Sequence, residues 1–355
     1  MPYLLLSDSH LHNWNAFSGT DPEGRNERLM IILDEIRRHG HNALAAGITT
    51  MYHAGDLFHT RGRLTPSALN PTLDTFRELI DAGLTIRMIP GNHDLESNTT
   101  DRLTNATAAL EGVGVKLAHQ PTVYHDDKVV MFPWVPQPSA LLAEMKGFWE
   151  ELNDSAPADR YDAIIHAPVN GVIFGIPDHG LSPLDLADVG FRRVFAGHYH
   201  DSKHLGREVY SVGATTHQTW SDPDTLAGAL VVGDEVIHHE SKAPAFVDLN
   251  GLDEDEIRKA APGNYVRLKV GEATEADIKK ARQELTDMGA KGVLIASTPA
   301  SKVATRTGAT ISSGARIEQS IAEWIDANPA TGVDQKAVEA AALDVLKQAD
   351  EGVEQ

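Results

Sequence analysis

Short apolar runs alternate with helical patterns along the N-terminal part of the chain. The first run, at residues 2–7, is apolar almost throughout, as a central strand covered on both faces would be, and two further strands are predicted at 47–53 and 84–89. The two segments between them, 26–39 and 65–83, place apolar side chains at helical spacing. This βαβαβ rhythm predicts a layered α/β sheet with crossover helices.

The start of the second helix is left open by the sequence. Thr65 followed by Pro66 fits an N-cap with proline at the first helical position. Pro71 also falls early in the helical pattern, and a proline inside a helix removes a hydrogen bond, so a later start is the alternative. Gly83 ends the helix in either case.

The middle of the chain is richer in strands than in helices. A short helix is predicted at 101–110. The segment 208–240 alternates short apolar runs with Gly and Asp turns, which predicts an antiparallel second sheet. The first domain is therefore predicted to be a β-sandwich flanked by helices. Further strands are predicted at 128–132, 161–166 and 192–196.

The composition changes near Ala243–Pro244, and a domain boundary is predicted between there and Pro262. A helix from about Thr274, flanked by two strands, then forms a compact β-α-β module. Residues 298–313 are small and polar, which is typical of a mobile linker. The two strands are predicted at 265–270 and 292–296, and two C-terminal helices at 317–327 and 334–348.

The overall composition narrows the class of protein. With 355 residues, 41% of them hydrophobic and 23% charged, the chain has an ordinary globular composition and can bury a substantial core. No apolar run approaches the roughly 20 residues that span a bilayer, and the N-terminus lacks the basic region of a signal peptide. Because cysteine is absent, disulfides and thiolate metal sites are excluded, and a reducing cytoplasm is the default location.

The formal net charge of −20 bears on possible partners. Nonspecific attraction to nucleic acid depends on Lys and Arg side chains that neutralise phosphates, so this charge predicts a weak attraction. If the substrate is DNA, another component must supply the positive surface.

Five predicted strands share one feature, because each is followed by residue types that bind divalent metals. Ligands of open α/β sheets collect outside the carboxyl ends of the strands, so these residues are predicted to converge. The stretches are Asp8-Ser9-His10, Gly55-Asp56, Gly91-Asn92-His93-Asp94, His166 and Gly197-His198-Tyr199-His200.

The chemistry of these stretches fits a pair of divalent metal ions. Two ions about 3.5–4 Å apart can generate hydroxide at neutral pH and clamp a phosphoryl group for in-line attack. Such a site needs a shared carboxylate, together with Asp, Asn and His ligands on rigid strand ends. Asp56, after the second strand, is predicted to be the carboxylate that bridges the two ions.

The same stretches resemble the calcineurin-like metallophosphoesterases. Gly55–His59, Phe132-Pro133-Trp134 and the stretch from His198 to Thr215 are, in addition, similar to the SbcD-like exonuclease subunits, including bacteriophage ones. The resemblance implies a four-layer αββα sandwich, a smaller β-α-β capping domain and a linker with C-terminal helices that dock onto an SbcC-like coiled-coil ATPase. These three parts correspond to residues 1–245, 246–300 and 301–355.

The resemblance also implies a role for each residue of the site. His93 would stabilise the phosphorane and protonate the leaving oxygen, with Asp94 orienting its ring. His59 would be a second acid or a substrate-positioning group. Manganese is the expected ion, with magnesium as the alternative, because hard oxygen and nitrogen ligands accept both. The implied ligands are Asp8, His10, Asp56 and His200 for one ion, and Asp56, Asn92, His166 and His198 for the other.

Residues that flank the ligands carry weaker signals. His12 and His53 are expected to be supporting or surface histidines. Candidates for lining the cleft or contacting phosphate, each with a structural role as the alternative, are His217, Trp220, Arg61, Arg63, Arg192 and Arg193.

Three functions remain open from the sequence. The leading hypothesis is a two-metal phosphodiesterase that degrades DNA as the homodimeric nuclease subunit of an SbcCD-like recombination and repair complex. Its expected location is the cytoplasm, or the host cytoplasm for a phage protein. The alternative is a stand-alone metallophosphoesterase that acts on a cyclic nucleotide or a phosphoprotein, which suits the acidic charge slightly better. The third is a non-enzymatic scaffold that binds DNA ends and retains a metal site.

Overall fold

The computed structural model describes residues 1–97, 103–173, 180–271, 273–297, 325, 334 and 336–343. The chain divides into two compact units, and the first comprises Met1–Lys269 and Thr274–Ala296. The second comprises Val270–Ala273 and Ser297–Gln355. Its described part includes a helical stretch at 336–343, inside the helix predicted from Asp334. The predicted linker lies outside the described residues, as do the helix predicted at 317–327, apart from Ile325, and the docking role of both C-terminal helices.

Helices and strands alternate through most of the first unit. Two short 3₁₀ helices occur at Ala106–Val113 and Ala158–Arg160. The α-helices are α1 (Glu27–Ala45), α2 (Pro66–Asp81), α3 (Pro138–Ser155), α4 (Pro183–Ala187), α5 (Glu254–Ala260) and α6 (Glu275–Asp287). The strands are β1 (Tyr3–Leu6), β2 (Thr50–His53), β3 (Thr85–Met88), β4 (Lys116–Leu117), β5 (Thr122–Tyr124), β6 (Val129–Phe132), β7 (Asp162–His166), β8 (Arg193–Gly197), β9 (Lys203–His204), β10 (Val209–Ser211), β11 (Gly228–Val232), β12 (Val236–Glu240), β13 (Phe246–Asp248), β14 (Tyr265–Val270) and β15 (Gly292–Ser297).

Two six-stranded mixed sheets make up the body of the first unit. The first has the order β12-β11-β1-β2-β3-β4, with β1 to β4 parallel and the β11–β12 hairpin antiparallel to β1. The second has the order β5-β6-β7-β8-β10-β9, in which β6, β7, β8 and β10 are parallel. The parallel strands are joined through crossover connections, as the βαβαβ pattern predicts.

Three apolar clusters show how the layers are stacked. Helices α1 and α2 cover the outer face of the first sheet, where Leu29 and Phe76 are completely buried. Tyr3, Tyr52 and Phe195 lie in the cluster between the two sheets. Helix α3 covers the outer face of the second sheet in a third cluster. The order helix, sheet, sheet, helix confirms the predicted α/β sandwich.

A smaller sheet with two helices follows the sandwich, and we call residues 246–297 the C-terminal module. Its three strands have the order β13-β14-β15, and β13 pairs with β14 in parallel. Helix α6 begins at a capping box in which Thr274 and Asp277 bond each other's backbone amides. Leu249, Val266 and Leu285 form a small core of its own.

The structure corrects the prediction for residues 208–240, which do not form a separate antiparallel sheet. Strand β10 pairs in parallel with β8 in the second sheet, whereas β11 pairs antiparallel with β1 in the first. Short apolar runs separated by turns look alike in sequence wherever they pair. Their hydrogen-bond partners are decided by which sheet edge the chain reaches.

The helices agree with the predictions only in part. Helix α2 starts at Pro66, the first of the two predicted starts, with Pro71 inside it, because Ala68 and Thr72 are buried in its first turns and their packing offsets the proline. The helix predicted at 101–110 is instead the 3₁₀ helix from Ala106, while 101 and 102 lie outside the described residues. Helix α3 was not predicted. Among the described residues, no helix has both the length and the apolar character that crossing a bilayer requires.

Candidate metal centre

The predicted metal ligands follow the carboxyl ends of five parallel strands, three in the first sheet and two in the second. Asp8 follows β1, Asp56 follows β2 and Asn92 follows β3. His166 is the last residue of β7, and His198 comes directly after β8. Because the two sheets pack face to face, these five strand ends meet at one edge of the sandwich.

Four of these residues have a strained backbone. Asp8, His10, Asp56 and His198 adopt φ angles of 48°, 47°, 55° and 113°, in the left-handed region that residues other than glycine rarely occupy. Such conformations cost on the order of 1–3 kcal/mol each and persist only where the surroundings hold them. Here the amides of Asp8 and His10 donate to the carbonyls of Gly55 and Asp56, at 3.0 and 3.1 Å.

Asp8, His10 and His200 form the first group of converging ligand atoms, all within 4.8 Å of one another. His10 Nε2 lies 3.2 Å from His200 Nε2 and 3.9 Å from Asp8 Oδ1. Two ligands about 2.1 Å from one ion are roughly 3–3.5 Å apart at tetrahedral or octahedral angles, so the two histidines are spaced to share an ion.

Asp56, His166 and His198 form the second group, again with ligand atoms within 4.8 Å of one another. Asn92 joins it, because its Oδ1 lies 3.1 Å from His166 Nε2 and 3.0 Å from His198 Nδ1. The structure therefore brings together the two ligand sets that the sequence predicts.

Asp56 belongs to the second group but also faces the first. Its Oδ2 is 3.4 Å from His166 Nε2 in the second group and 3.8 Å from His10 Nε2 in the first. Its Oδ1 accepts a hydrogen bond of 2.7 Å from the backbone amide of His93. Gly91 permits this arrangement, because a Cβ at that position would lie 2.2 Å from Asp56 Oδ1. One carboxylate oxygen is thus anchored while the other faces both groups.

Two buried atoms at the site are placed to bind a cation. Asp8 Oδ2 accepts hydrogen bonds from the Ser7 hydroxyl and the His198 amide, whereas the buried Asp8 Oδ1 has no hydrogen-bond partner. His166 Nδ1 donates to the carbonyl of Ala54 at 2.7 Å, so its Nε2 is directed at the oxygens of Asn92 and Asp56. These oxygens need a proton or a metal ion at Nε2, and an ion can take the place of the proton. Divalent ions would satisfy all of these atoms, so the residues present fit the predicted metal pair.

The charges within the site are strongly coupled. Burial raises the pKa of Asp8 to about 6. Burial also opposes ionisation of Asp56, but the imidazoles of His166, His10 and His93 outweigh it and lower the pKa of that carboxyl. Burial by itself would lower the pKa of His166, yet the Asp56 carboxylate raises it to about 9. Buried carboxylates of this kind are stable only beside positive charge.

Asp222 supports His200, and the sequence analysis missed it. Its Oδ1 accepts a hydrogen bond of 3.1 Å from His200 Nδ1, which leaves His200 Nε2 to face the first group. A carboxylate behind a metal-binding histidine fixes the ring and strengthens it as a ligand. Asp222 is buried and lies in a loop 22 residues beyond His200. The signal available in sequence was an acidic residue close to His217 and Trp220, which is weak by itself.

His93 lies beside the ligands, and its ring is held differently from the prediction. Its Nδ1 donates to the backbone carbonyl of His59 at 2.6 Å, so Nε2 is the nitrogen left for substrate. Asp94 was expected to orient this ring, but its carboxylate accepts the amides of Gly91, Leu57 and Phe58. Asp94 therefore ties together the loops after β2 and β3, because their buried amides need an acceptor.

The side chain of His59 is half-buried and lies beside His93 and His10. Its ring stacks on that of His93 with the centroids 5.7 Å apart, and its Nδ1 lies 3.3 Å from His10 Nδ1. The Trp14 ring packs against it at 4.5 Å. His59 is thus placed to position a substrate or to exchange a proton.

The residues with weaker signals divide between the site and the scaffold. His53 is buried, and its Nε2 lies 2.9 Å from Ser9 Oγ, whereas His12 contacts Thr60 at the rim. Arg61 and Arg63 are exposed just beyond the loop of Asp56. Those that serve as scaffold are His217, Trp220, Arg192 and Arg193, which bond or pack against Thr225, Phe246, Asp162 and Gly233, respectively.

A cavity of about 400 Å³ lies beside the ligands. His198, His200 and Asp222 line one side of it, and Val172 and Tyr199 line another. A substrate group next to the metal centre can enter this space.

Comparison with known proteins gives a family and one curated relative. The family model described as calcineurin-like phosphoesterase matches residues 1–202, which include all seven predicted ligands. Exonuclease subunit 1 of Enterobacteria phage T4 is 29% identical over 175 residues, which cover 48% of this chain and 49% of the relative. The match thus spans about half the length of either protein.

Two solved structures show more distant likenesses. A dimetal phosphatase from Danio rerio covers 65% of this chain and 91% of its own, with 13% identity and a TM-score of 0.40. The nuclease MPE from Pseudomonas putida covers 67% of this chain and 87% of its own, with 16% identity and a TM-score of 0.30. At these values, neither likeness indicates a substrate.

Proposed function

Because the chain belongs to the calcineurin-like phosphoesterase family, we propose that it is a two-metal phosphodiesterase that hydrolyses DNA. One observation supports the two-metal site above all others. Asp56 Oδ2 faces ligand nitrogens of both groups, at 3.4 and 3.8 Å. A single carboxylate so placed can serve two ions at once, which is the arrangement of two-metal sites for phosphoryl chemistry.

Each predicted ligand has one atom available for an ion. Asp8, His10 and His200 would hold the first ion, Asn92, His166 and His198 the second, and Asp56 both. A pair of divalent ions supplies an activated water and neutralises charge on the phosphoryl oxygens. Manganese is the ion we propose, since the resemblance to SbcD-like subunits implies it and oxygen and nitrogen ligands permit it.

His93 would assist departure of the sugar oxygen. Its Nδ1 proton is committed to the carbonyl of His59, so the protonated ring would deliver its second proton to the leaving oxygen from Nε2. The hydrogen bond to His59 and the stacked ring hold the imidazole in one orientation. A fixed donor next to the scissile phosphate is what general acid catalysis needs.

The DNA substrate is supported by the relative and by the motifs after Asp56. The matched protein of phage T4 is named as an exonuclease subunit, and Gly55–His59 is similar to SbcD-like subunits. We propose that this chain likewise acts as a subunit, as a dimer with a coiled-coil ATPase that supplies positive surface. The net charge of −20 supports such a division of roles.

A second candidate is a stand-alone phosphoesterase acting on a cyclic nucleotide or a phosphoprotein. The same negative charge favours it, because an acidic surface repels a DNA backbone at long range. The cavity beside His198 and His200 can also admit a small substrate.

One substrate panel separates the two candidates. The purified chain with Mn²⁺, alone and with a coiled-coil ATPase if one is encoded beside it, is given linear duplex DNA, single-stranded DNA, a bis(nitrophenyl) phosphodiester, a cyclic nucleotide and a phosphomonoester. We expect cleavage of DNA and of the phosphodiester, abolished by EDTA. Asp56→Asn should lower both rates by more than about a hundredfold, since it weakens both ions.

The matched control is Asp126→Asn, which removes one exposed carboxylate far along the chain from the ligands. It should leave all rates unchanged. Hydrolysis of only the small substrates, with and without the ATPase, would refute the DNA proposal and favour the stand-alone enzyme.

A further inference from the structure

The loop that carries Asp222 contacts both the metal ligands and the C-terminal module. We call it the 217–222 loop, from His217 to Asp222. It follows β10 in the chain and precedes β11, so it belongs to neither sheet. What holds this loop therefore also determines where Asp222 lies.

On the side of the metal site, the loop is tied to His200 and to the first ligand stretch. Asp222 Oδ1 accepts from His200 Nδ1 at 3.1 Å, and its Oδ2 accepts the amides of Gln218 and Thr219 at 2.7 and 2.8 Å. Gln218 Nε2 donates to the carbonyl of Ser9 at 3.2 Å. The conformation of the loop therefore determines the orientation of the His200 ring.

On the other side, the loop is held by the C-terminal module. The amide of Phe246 donates to His217 Nδ1 at 3.2 Å. The Trp220 ring packs edge-on against that of Phe246 at 4.9 Å, and the guanidinium of Arg267 lies 4.8 Å from the Trp220 centroid. These contacts join β13 and β14 to the loop.

Arg28 contacts both the C-terminal module and the 217–222 loop. It is only 4% exposed, and its Nη2 donates to the carbonyl of Gln218 at 2.7 Å while Nη1 donates to Ala16 at 3.1 Å. The rings of Phe246 and Tyr265, both in the module, lie 5.2 and 5.4 Å from its guanidinium carbon. Trp14, which packs on His59, lies 4.6 Å away.

This environment is specific for arginine. A planar guanidinium can donate from two nitrogens to two carbonyls and at the same time stack against aromatic faces. A lysine at this position keeps the positive charge, but it offers a single ammonium group that cannot span both carbonyls.

We propose that Arg28 is a positioning residue for the metal site, through which the C-terminal module holds the 217–222 loop and hence the His200 ring. The module is then a part of the metal centre's support rather than a separate attachment. The inference rests on the two-metal site of the proposed function, but it does not depend on DNA being the substrate.

The test is a titration of the full chain with Mn²⁺ in the absence of DNA. Binding is monitored by electron paramagnetic resonance and by calorimetry. Wild-type protein should bind two ions. In Arg28→Lys, we expect one site to weaken by about tenfold, the lower end of what loss of a ligand-supporting contact costs, while the other stays unchanged.

Arg38→Lys is the matched control. Arg38 lies on the same helix α1 and makes several hydrogen bonds, to Glu35, His39 and the carbonyl of Glu240, but none of these reach the 217–222 loop. The Arg38→Lys protein should bind both Mn²⁺ ions with the affinities of the wild type. Phe246→Leu, which removes the ring shared by Arg28 and Trp220, should weaken the same site as Arg28→Lys and serves if that variant fails to fold.

A double variant shows whether Arg28 acts through Asp222. If it does, Arg28→Lys combined with Asp222→Ala binds Mn²⁺ no more weakly than Asp222→Ala alone, because the support is already lost. Additive losses, equal weakening of both sites, or wild-type affinity in both Arg28→Lys and Phe246→Leu would refute the inference. A wild-type chain that binds fewer than two ions would instead contradict the proposed two-metal site itself.

Discussion

At the scale of single residues, four of the predicted ligands have one polar atom committed to the protein and one left for an ion. Asp8 uses Oδ2 for hydrogen bonds and leaves Oδ1 without one, and Asp56 anchors Oδ1 and turns Oδ2 to both groups. His166 and His200 commit Nδ1 to a carbonyl and a carboxylate, so that Nε2 faces inward. This division decides the tautomer and the direction of each ligand before any ion binds.

The role of His93 leads to a prediction about leaving groups. A general acid matters most when the leaving oxygen is a poor leaving group, as a sugar alkoxide is, and little when it is a nitrophenolate. His93→Ala should therefore lower kcat on DNA by about 10²–10⁴-fold. On the bis(nitrophenyl) phosphodiester, the loss should be much smaller.

Both rates are measured in steady state at saturating Mn²⁺, and the bound metal is counted in each preparation. His125→Ala is the control, since His125 bonds Tyr161 outside the site and should leave both rates unchanged. Equal losses of His93→Ala on the two substrates would show that His93 acts on metal binding or on structure instead of on the leaving group.

At the scale of elements, the short parallel strands serve as rigid supports for loops that carry the chemistry. Strands β1, β2 and β3 are four residues long, and each is followed by a loop with ligands. The loops after β2 and β3 are joined through Asp94, which accepts amides from both. Helix α3 covers the outer face of the second sheet and carries none of the predicted ligands.

Helix α3 offers a prediction about stability. Gly147 lies inside this helix on its exposed side, and a Cβ added there meets open space. Gly147→Ala should raise the free energy of unfolding by about 0.5–1 kcal/mol, because alanine loses less backbone entropy in a helix. The shift of the midpoint in urea unfolding measures it.

Gly83 is the matched control for this substitution. It follows α2 and also has open space for a Cβ, but its φ of +106° lies in the left-handed region. Gly83→Ala should therefore lower the free energy of unfolding by about 1 kcal/mol. A shift of the same sign in both variants would contradict the backbone argument.

At the scale of the whole molecule, the acidic charge bears on the proposed DNA substrate. The net charge of −20 is spread over a chain whose exposed cations just beyond the Asp56 loop include Arg61 and Arg63. Under the proposed function, this chain would neutralise few phosphates, and a partner would contribute most of the nonspecific attraction.

The salt dependence of binding tests this view. For the isolated His93→Ala variant, we measure the association constant for a labelled DNA duplex at several salt concentrations. A plot of its logarithm against the logarithm of the salt concentration should have a slope shallower than about −3, because each neutralised phosphate contributes about −0.9. Fluorescence anisotropy at several salt concentrations gives the slope.

The double variant Arg61→Gln, Arg63→Gln should make the slope shallower still, by up to about 1.8, which is the contribution of two phosphates. The control is Arg25→Gln, whose side chain is already paired with Asp21 and Glu23. A slope near −6 for the isolated chain would contradict the expected division of roles between this protein and a partner.

The α/β sandwich and most of the metal site were accessible from sequence, because both depend on local patterns. Apolar runs identify buried strands, and the residues directly after them, such as Asp56 and His166, lie at the strand ends whatever the details of packing. Ligand type then follows from residue chemistry. The bridging position of Asp56 is supported by the geometry, since its Oδ2 faces both groups.

Only the tertiary structure decided which distant residues meet. Three contacts join segments that lie 22 to more than 200 residues apart in the chain. They are the hydrogen bond from His200 to Asp222, the hydrogen bond from His93 to the His59 carbonyl, and the packing of Arg28 against Phe246. The pairing of β10 and β11 with different sheets was decided in the same way. Hydrogen bonds and packing between remote segments leave no periodic or local signal, so they emerge only once the chain has folded.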